Sequence, residues 1–313
     1  MTSLSTSRIN TSANDRRVPV TVIVATKNEE ANIENCLLSL APAERVLVVD
    51  SCSTDATQTI AGKLGAELIT YSYSGGYPKK RQWALDHLTI ATPWTMLIDA
   101  DEQVTPALWR EIESNLSSSN DCTAYLILKE FHFLGKRLRF GGFSHAAIAL
   151  FCTGLAKFEQ LEGNEPNGQD MEVHERLIVE GKVGRLRNPL LHNDYKGLYA
   201  YIDRHNKYST WEAGIRSHYL ETGSWGNQAI HSTISLDVQS LRRFLKSFII
   251  KLPCEPSMWF LYHYIFRGAI LEGRRGYIAA CIRRAYIEQV HSKIYELRLS
   301  RKSRTSGRKD SPA

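Results

Sequence analysis

The chain has 313 residues, 43% of them hydrophobic and 23% charged, with a formal net charge of +6. Such a balance supports a real hydrophobic core and excludes a disordered or fibrous chain. Its six cysteines are scattered without a C-x-x-C pair, which argues against a zinc module or disulfide framework and for a reducing, cytoplasmic compartment.

Residues 1–17 are polar, lack the apolar segment of a secretory signal, and read as a disordered tail. Val18–Val24 is β-branched and predicts a central strand. Ile33, Cys36, Leu37 and Leu40 recur at i, i+3, i+4 and i+7, the spacing of an amphipathic helix. Arg45–Val49 predicts a second strand ending at Asp50. A helix follows to about Leu64, with cap candidates in Ser51–Asp55. Ala66–Thr70 is a third strand, Lys79–Leu88 a helix and Trp94–Ile98 a fourth strand. Alternating strands and helices predict an α/β fold with a mostly parallel central sheet flanked by helices. Ligands of such sheets bind at the carboxyl ends of the strands, where Thr26, Asp50 and Asp99 fall. The first strand is not followed by G-x-G-x-x-G, which counts against a dinucleotide dehydrogenase, and the chain has no Walker sequence.

Thr105-Pro106 marks a capped helix to about Leu116. Thr123–Phe158 is strand-like, 163–170 is a polar loop, and 198–213 has helical spacing, with a break expected over 214–228. From about 234 to 299 the chain is helical, aromatic and basic.

The stretch that carries chemistry is Trp94-Thr-Met-Leu-Ile-Asp99-Ala-Asp101-Glu102. If the chain stays extended, Asp99 and Asp101 project to one face. Two close carboxylates need a cation or a proton between them, and oxygen ligands suit Mg2+ or Mn2+. An isolated Asp-x-Asp is more often a strand end before an acidic helix start; what precedes it here reverses that reading.

With Thr26-Lys-Asn28-Glu29, Asp50-Ser-Cys-Ser-Thr-Asp55, Lys80-Arg-Gln-Trp83 and Asp99-Ala-Asp101-Glu102 in this order, the chain resembles family 2 inverting glycosyltransferases. Within them it looks like the lipopolysaccharide core β-glucosyltransferases. Val173-His174-Glu175, Gly181-Lys-Val-Gly184 and His192-Asn-Asp-Tyr195 match that branch, and Lys79-Lys80 departs from it where relatives often carry glutamine. The resemblance implies a GT-A nucleotide-sugar-binding fold over 18–230. It implies a donor site of Thr26, Asn28, Glu29, Asp50, Ser51, Lys79, Arg81, Asp99 and Ala100, and a Mg2+ or Mn2+ ion on Asp99, Asp101 and His192. The products of that assignment are transfer from a nucleotide-diphosphate sugar, a UDP-hexose, to a hydroxyl of a lipid-linked saccharide.

Other readings stand beside these. Asp50, Asn28 and Glu29 can cap helices, Lys79 and Arg81 can be solvated, and His192 can be structural. Glu175 is the candidate general base, in a carboxylate-rich segment with Glu172 and His174; its bland alternative is a surface charge. A polyprenyl-phosphate sugar synthase and a non-catalytic sugar-nucleotide-binding protein are the alternative functions.

The C-terminal appendage speaks to location. Leu241–Ile250 and Met258–Phe266 are apolar and aromatic, but neither reaches the ~20 apolar residues of a span. Lys and Arg far outnumber Asp and Glu from Leu241 onward. Residues 231–300 therefore read as amphipathic helices on an anionic membrane surface, peripheral on the cytoplasmic face of the inner membrane, ahead of a basic tail over 301–313. A helical cap with a solvated basic face is the alternative; nucleic acid is not expected as a partner.

Overall fold

Strand β1 (Val18–Thr26) is buried from Val20 to Thr26, so both faces of this β-branched run are covered. The structure is a computed structural model and describes residues 17–118, 120–160, 170, 175–225 and 247–307. On either side of β1 lie β2 (Ala43–Asp50) and β4 (Trp94–Asp99), both parallel to it, and β3 (Glu67–Thr70) adds outside β2. Helices α1 (Ile33–Leu38), α2 (Thr57–Lys63) and α3 (Lys80–His87) make the crossovers that parallel strands require. Ile33, Cys36, Leu37 and Leu40 are all buried, as their spacing demands.

The remaining strands are β5 (Glu102–Val104), β6 (Cys122–Phe133), β7 (Lys136–Arg137), β8 (His145–Cys152), β9 (Ala156–Phe158), β10 (Leu177–Val179), β11 (Lys182–Arg185) and β12 (Leu190–Asn193). The large sheet runs β3-β2-β1-β4-β8-β6-β12-β5, with β11 and β7 also on β6; β9 and β10 pair separately. Its first half is parallel. Its second half is mixed, because β8 runs antiparallel to both β4 and β6, and β12 antiparallel to β5. Only a short link joins β6 to β8, which suits an antiparallel return and not a parallel crossover. Helix α4 (Pro106–Ser117) starts as expected, with the Thr105 hydroxyl accepting the Leu108 N–H at 3.1 Å. Val22, Val24, Met96, Ile98, Leu108, Ile112 and Leu150 belong to the core cluster of this part.

Contacts divide the chain into two compact units. One holds 1–137, 144–157 and 177–196; the other holds 138–143, 158–176 and 197–313. The division falls after Lys196, so the helix that the sequence reading joined to the first domain groups with the C-terminal helices. In the second unit are α5 (Gly197–Thr222), α6 (Glu255–Leu261), a π-helical turn (Tyr262–Phe266), a 3-10 turn (Ala269–Glu272) and α7 (Arg274–Gly307).

The break expected from Gly214 does not occur, because α5 continues to Thr222 with Trp211–Ser217 all buried. Packing overrides the weak helix propensity of one glycine. Arg216 is held there by Glu212 and Glu255, with Nη1 2.9 Å from Glu255 Oε2. His291 and Trp259 also reach Glu255, and the Tyr286 hydroxyl donates to Glu212 at 2.5 Å. This buried polar network ties α5, α6 and α7 together. No helix among the described residues is long and apolar enough to cross a membrane.

Candidate functional site

The parallel register sets the site's position. Thr26 pairs with Asp50 across β1 and β2, and Ala25 with Asp99 across β1 and β4, so all three predicted strand ends lie side by side. The loops leaving β1 and β2 are fastened to each other. Asn28, with positive φ, donates its N–H to the Ser53 hydroxyl and accepts the Thr54 N–H, each at 2.8 Å. The Glu29 N–H donates to Thr57 at 2.8 Å.

Asp50 is fully buried at this junction. Its carboxylate accepts from Thr26 at 2.9 Å, from the Ser53 N–H at 2.8 Å, from the Ser53 hydroxyl and from Gln58 at 2.7 Å. Burial alone would raise its pKa; these hydrogen bonds outweigh that and hold it below its ordinary value. Asp50 thus fastens the loop after β2, with both oxygens occupied, and does not cap α2, whose N-terminus has no side-chain cap hydrogen bond. Beside it, the buried Ser51 hydroxyl has no hydrogen-bond partner among the described residues. A buried hydroxyl in that state takes its partner from outside the protein, as a water or a ligand's polar atom.

Strand β4 ends at Asp99, and the chain turns through Ala100 and Asp101 before β5. The extended geometry on which the same-face argument for Asp99 and Asp101 rested is therefore absent, and the two carboxylates have different partners. Asp99 pairs with Arg81 at the start of α3 and lies 3.7 Å from Lys129 Nζ. Burial pushes its pKa up, and the two cations outweigh this to bring it below its ordinary value. Asp101 meets His192 Nε2 at 3.2 Å. This contact follows from β12, where His192 pairs with Glu102 and the Asn193 N–H donates to the Asp101 carbonyl. Burial would lower the His192 pKa, but Asp101 and Glu102 overcome it and lift it to about 9.

The cations expected from outside are thus partly supplied by the protein. Lys129 on β6 lies 2.6 Å from the fully buried Glu102, whose other oxygen accepts the Asp99 N–H at 3.1 Å. His145, paired with Lys129 across β6 and β8, is drawn down to about 4 by the protein around its ring and by Lys129 and His192, although its edge meets solvent. Glu29 pairs with Lys196 at 2.5 Å and accepts from Asn32 at 2.7 Å, and Asn32 also reaches Asp194 and the Tyr195 N–H. Burial and the Asp101 charge raise the Glu29 pKa against these partners. The loops after β1 and β12 are joined by this network.

The structure therefore brings Glu29, Arg81, Asp99, Asp101 and His192 to one end of the sheet, with Thr26, Asn28, Asp50 and Ser51 beside them. Ala100 is buried in the turn. Lys79 and Lys80 are both buried, and Lys80, which stands in the quoted motif but not in the expected donor site, donates from Nζ to the Thr26 carbonyl at 2.6 Å. Also missed were Lys129, Asn32, Asp194 and Lys196. Asp194 sat within the quoted His192–Tyr195 motif, and Lys129 stood out as a charge following Tyr125-Leu-Ile-Leu128. Glu175 belongs to the second compact unit, half-buried just before β10, where the adjoining Arg176 N–H donates to the buried Glu159 carboxylate at 3.2 Å. Glu172, His174 and most of the 163–170 loop lie outside the described residues.

A divalent ion has a partial set of donors here. Asp101 and His192 converge, His192 would ligate only after losing its proton, and Asp99 would have to leave its cations. Among the described residues no group of three side chains is already arranged to hold a metal.

Residues 21–158 match the family model described as glycosyl transferase family 2. The lipopolysaccharide core biosynthesis glycosyltransferase LpsC of Rhizobium meliloti is 25% identical over 290 residues, covering 90% of this chain and 93% of that protein. An uncharacterized glycosyltransferase of Rickettsia bellii is 37% identical over 102 residues, 32% of this chain and only 34% of its own length. Among solved structures, the mannosyltransferase PcManGT from Pyrobaculum calidifontis, in complex with GDP-Man and Mn2+, is similar with a TM-score of 0.46 and 17% identity, over 90% of this chain and 88% of that one.

Proposed function

We propose that the chain, which matches the glycosyl transferase family 2 model over residues 21–158 and resembles LpsC over most of its length, is a family 2 glycosyltransferase that transfers a hexose from a UDP-sugar, with inversion, to a hydroxyl of a lipid-linked saccharide of the lipopolysaccharide core type. The observation that carries this reading is the interleaved charge at the carboxyl ends of β1 and β4 and on β12. Arg81, Lys129 and Lys196 stand among Glu29, Asp99, Asp101 and Glu102. The leaving group of the reaction is an anionic diphosphate, and cations held in place where its charge develops favour its departure. Asp101 and His192 are the residues that would hold Mg2+ or Mn2+; such an ion, when bound, neutralises charge on the departing diphosphate. The unpartnered Ser51 hydroxyl offers a contact to the nucleoside side of the donor.

The acceptor class is supported by the near full-length similarity to LpsC, which favours a saccharide hydroxyl over a polyprenyl phosphate. A hydroxyl acceptor needs a base, and Glu175 is assigned that role because it lies in the segment that matches the family's acceptor-side motif. The basic, aromatic C-terminal region supports work at the cytoplasmic face of an anionic membrane, where a lipid-linked acceptor resides.

The test compares Glu175→Gln with Glu172→Gln, measuring UDP release from UDP-hexoses with acceptor present and UDP binding without it. Positioned general-base catalysis gives about 10²- to 10⁴-fold. Glu175→Gln should lose turnover on that order and keep UDP binding, while Glu172→Gln loses much less. Near wild-type turnover in Glu175→Gln, or the larger loss in Glu172→Gln, overturns the base assignment.

A further inference from the structure

We propose that the ridge from Met258 to Leu271 inserts into the headgroup and outer acyl region of an anionic bilayer, drawn there by the arginines beside it. This rests on the membrane-surface reading above and narrows it to one element and one mode of binding.

The sequence gives this helical segment two apolar stripes. Met258, Leu261, Tyr262, Ile265 and Phe266 recur at i, i+3, i+4, i+7 and i+8 and are all exposed, Phe266 at 80% and Ile265 at 50%. The other stripe, Glu255, Trp259 and His263, faces the helical unit, where Glu255 joins the Arg216 network. One stripe is therefore used by the fold and one is left over. The 3-10 turn extends the second with Ile270 and with Leu271, 69% exposed. Leu271 and the exposed Phe140 come together over Gly268, each 3.7 Å from where a Cβ on that glycine would stand.

The ridge is held in shape from beneath. Buried Glu272 accepts the Arg139 and Phe140 N–H groups at 2.6 and 2.9 Å. The His263 ring meets the Gly141 carbonyl at 2.6 Å, and the Gly141 N–H donates to the Arg267 carbonyl at 2.7 Å. Gly276 lies so close to the Ala269 carbonyl that a side chain would collide with it. An apolar surface fixed in this way is a built feature, and soluble surfaces rarely keep contiguous patches of that kind without a partner.

Charge identifies the partner. Every exposed charge between Met258 and Tyr277 is an arginine, at Arg267, Arg274 and Arg275. The one acidic residue of that stretch, Glu272, is buried, as is Glu255 just before it. A surface of apolar tips and arginines, with no exposed carboxylate, complements anionic lipid headgroups above acyl chains.

The test floats the full chain with phosphatidylcholine vesicles and with vesicles that also contain phosphatidylglycerol. Wild type should bind the anionic vesicles. Phe266→Ser/Leu271→Ser should lose about tenfold or more in partitioning, and Arg274→Gln/Arg275→Gln should show a loss that added salt reproduces in wild type. Phe266→Trp, a variant that keeps the apolar surface, should be quenched by lipids brominated on the acyl chain.

Wild type that floats with neither vesicle overturns the proposal. So does an unquenched Phe266→Trp, or a serine variant that floats like wild type. A self-associating wild type that the serine change renders monomeric, with flotation unaltered, assigns the ridge to a second copy and also overturns it. UDP release from UDP-hexoses without vesicles tests the enzymatic reading separately. Its absence with acceptor present, in wild type that floats, refutes that reading and leaves the ridge standing.

Discussion

Asp50 stands at the end of β2, where its strand predicts it, and its carboxylate is held there by four hydrogen bonds. Its strand-end location was legible from the β-branched run before it. Its four hydrogen bonds were not, because they depend on how Thr26, Ser53 and Gln58 converge in three dimensions. A consequence follows for pH. With its folded pKa below the ordinary 3.8, Asp50 contributes stability that is fully present above that value and is lost as pH falls through the folded pKa. Urea unfolding from about pH 5 to pH 3 should show stability falling in wild type and falling less steeply in Asp50→Asn. Equal slopes would mean that Asp50 is not held as described. Asp99 and Asp101 teach a related lesson. Their same-face spacing requires an extended backbone, which the turn at Ala100 ends, and Lys129, far along the chain in β6, supplies a cation whose pairing with Asp99 no local spacing shows.

Among the elements, the strands and helices of the first hundred residues were legible because period and burial agree there: Ile33, Cys36 and Leu37 alternate with exposed positions, and Val20–Thr26 is buried throughout. The mixed half of the sheet was less so, since antiparallel partners such as β4 and β8 are remote in sequence and similar in pattern to parallel ones. Helix α5 passed through an expected break at Gly214 because its middle is held by tertiary contacts. Arg216 is central to them. Arg216→Ala would leave Glu212 buried without its cation and Glu255 with His291 and Trp259 alone, a loss of about 3–5 kcal/mol. Chemical denaturation followed by circular dichroism should show it, and a change below about 1 kcal/mol would mean that the network is a surface-like pair in strength.

At the scale of the whole molecule, two kinds of surface were visible in the sequence as composition before they were visible as geometry. The first half carries carboxylates at strand ends; the last third carries arginines among aromatics. The structure divides them between two compact units, each with its own polar interior: the Glu29–Asp101–Lys129 cluster in one and the Arg216 network in the other. What the sequence could not supply was the internal charge balance of the first cluster, because Arg81, Lys129 and Lys196 come from α3, β6 and the loop after β12. That balance carries the central claim, that the cluster receives a nucleotide diphosphate with its metal. Calorimetric titration of UDP into wild type and Asp101→Asn, with Mn2+ and then with chelator, tests it most directly. Metal-dependent binding is expected in wild type and should fall about tenfold or more in Asp101→Asn, at least the loss that follows when a partner of a metal ligand is removed. Equal affinity in the two proteins, or wild-type binding unaffected by chelator, would contradict it.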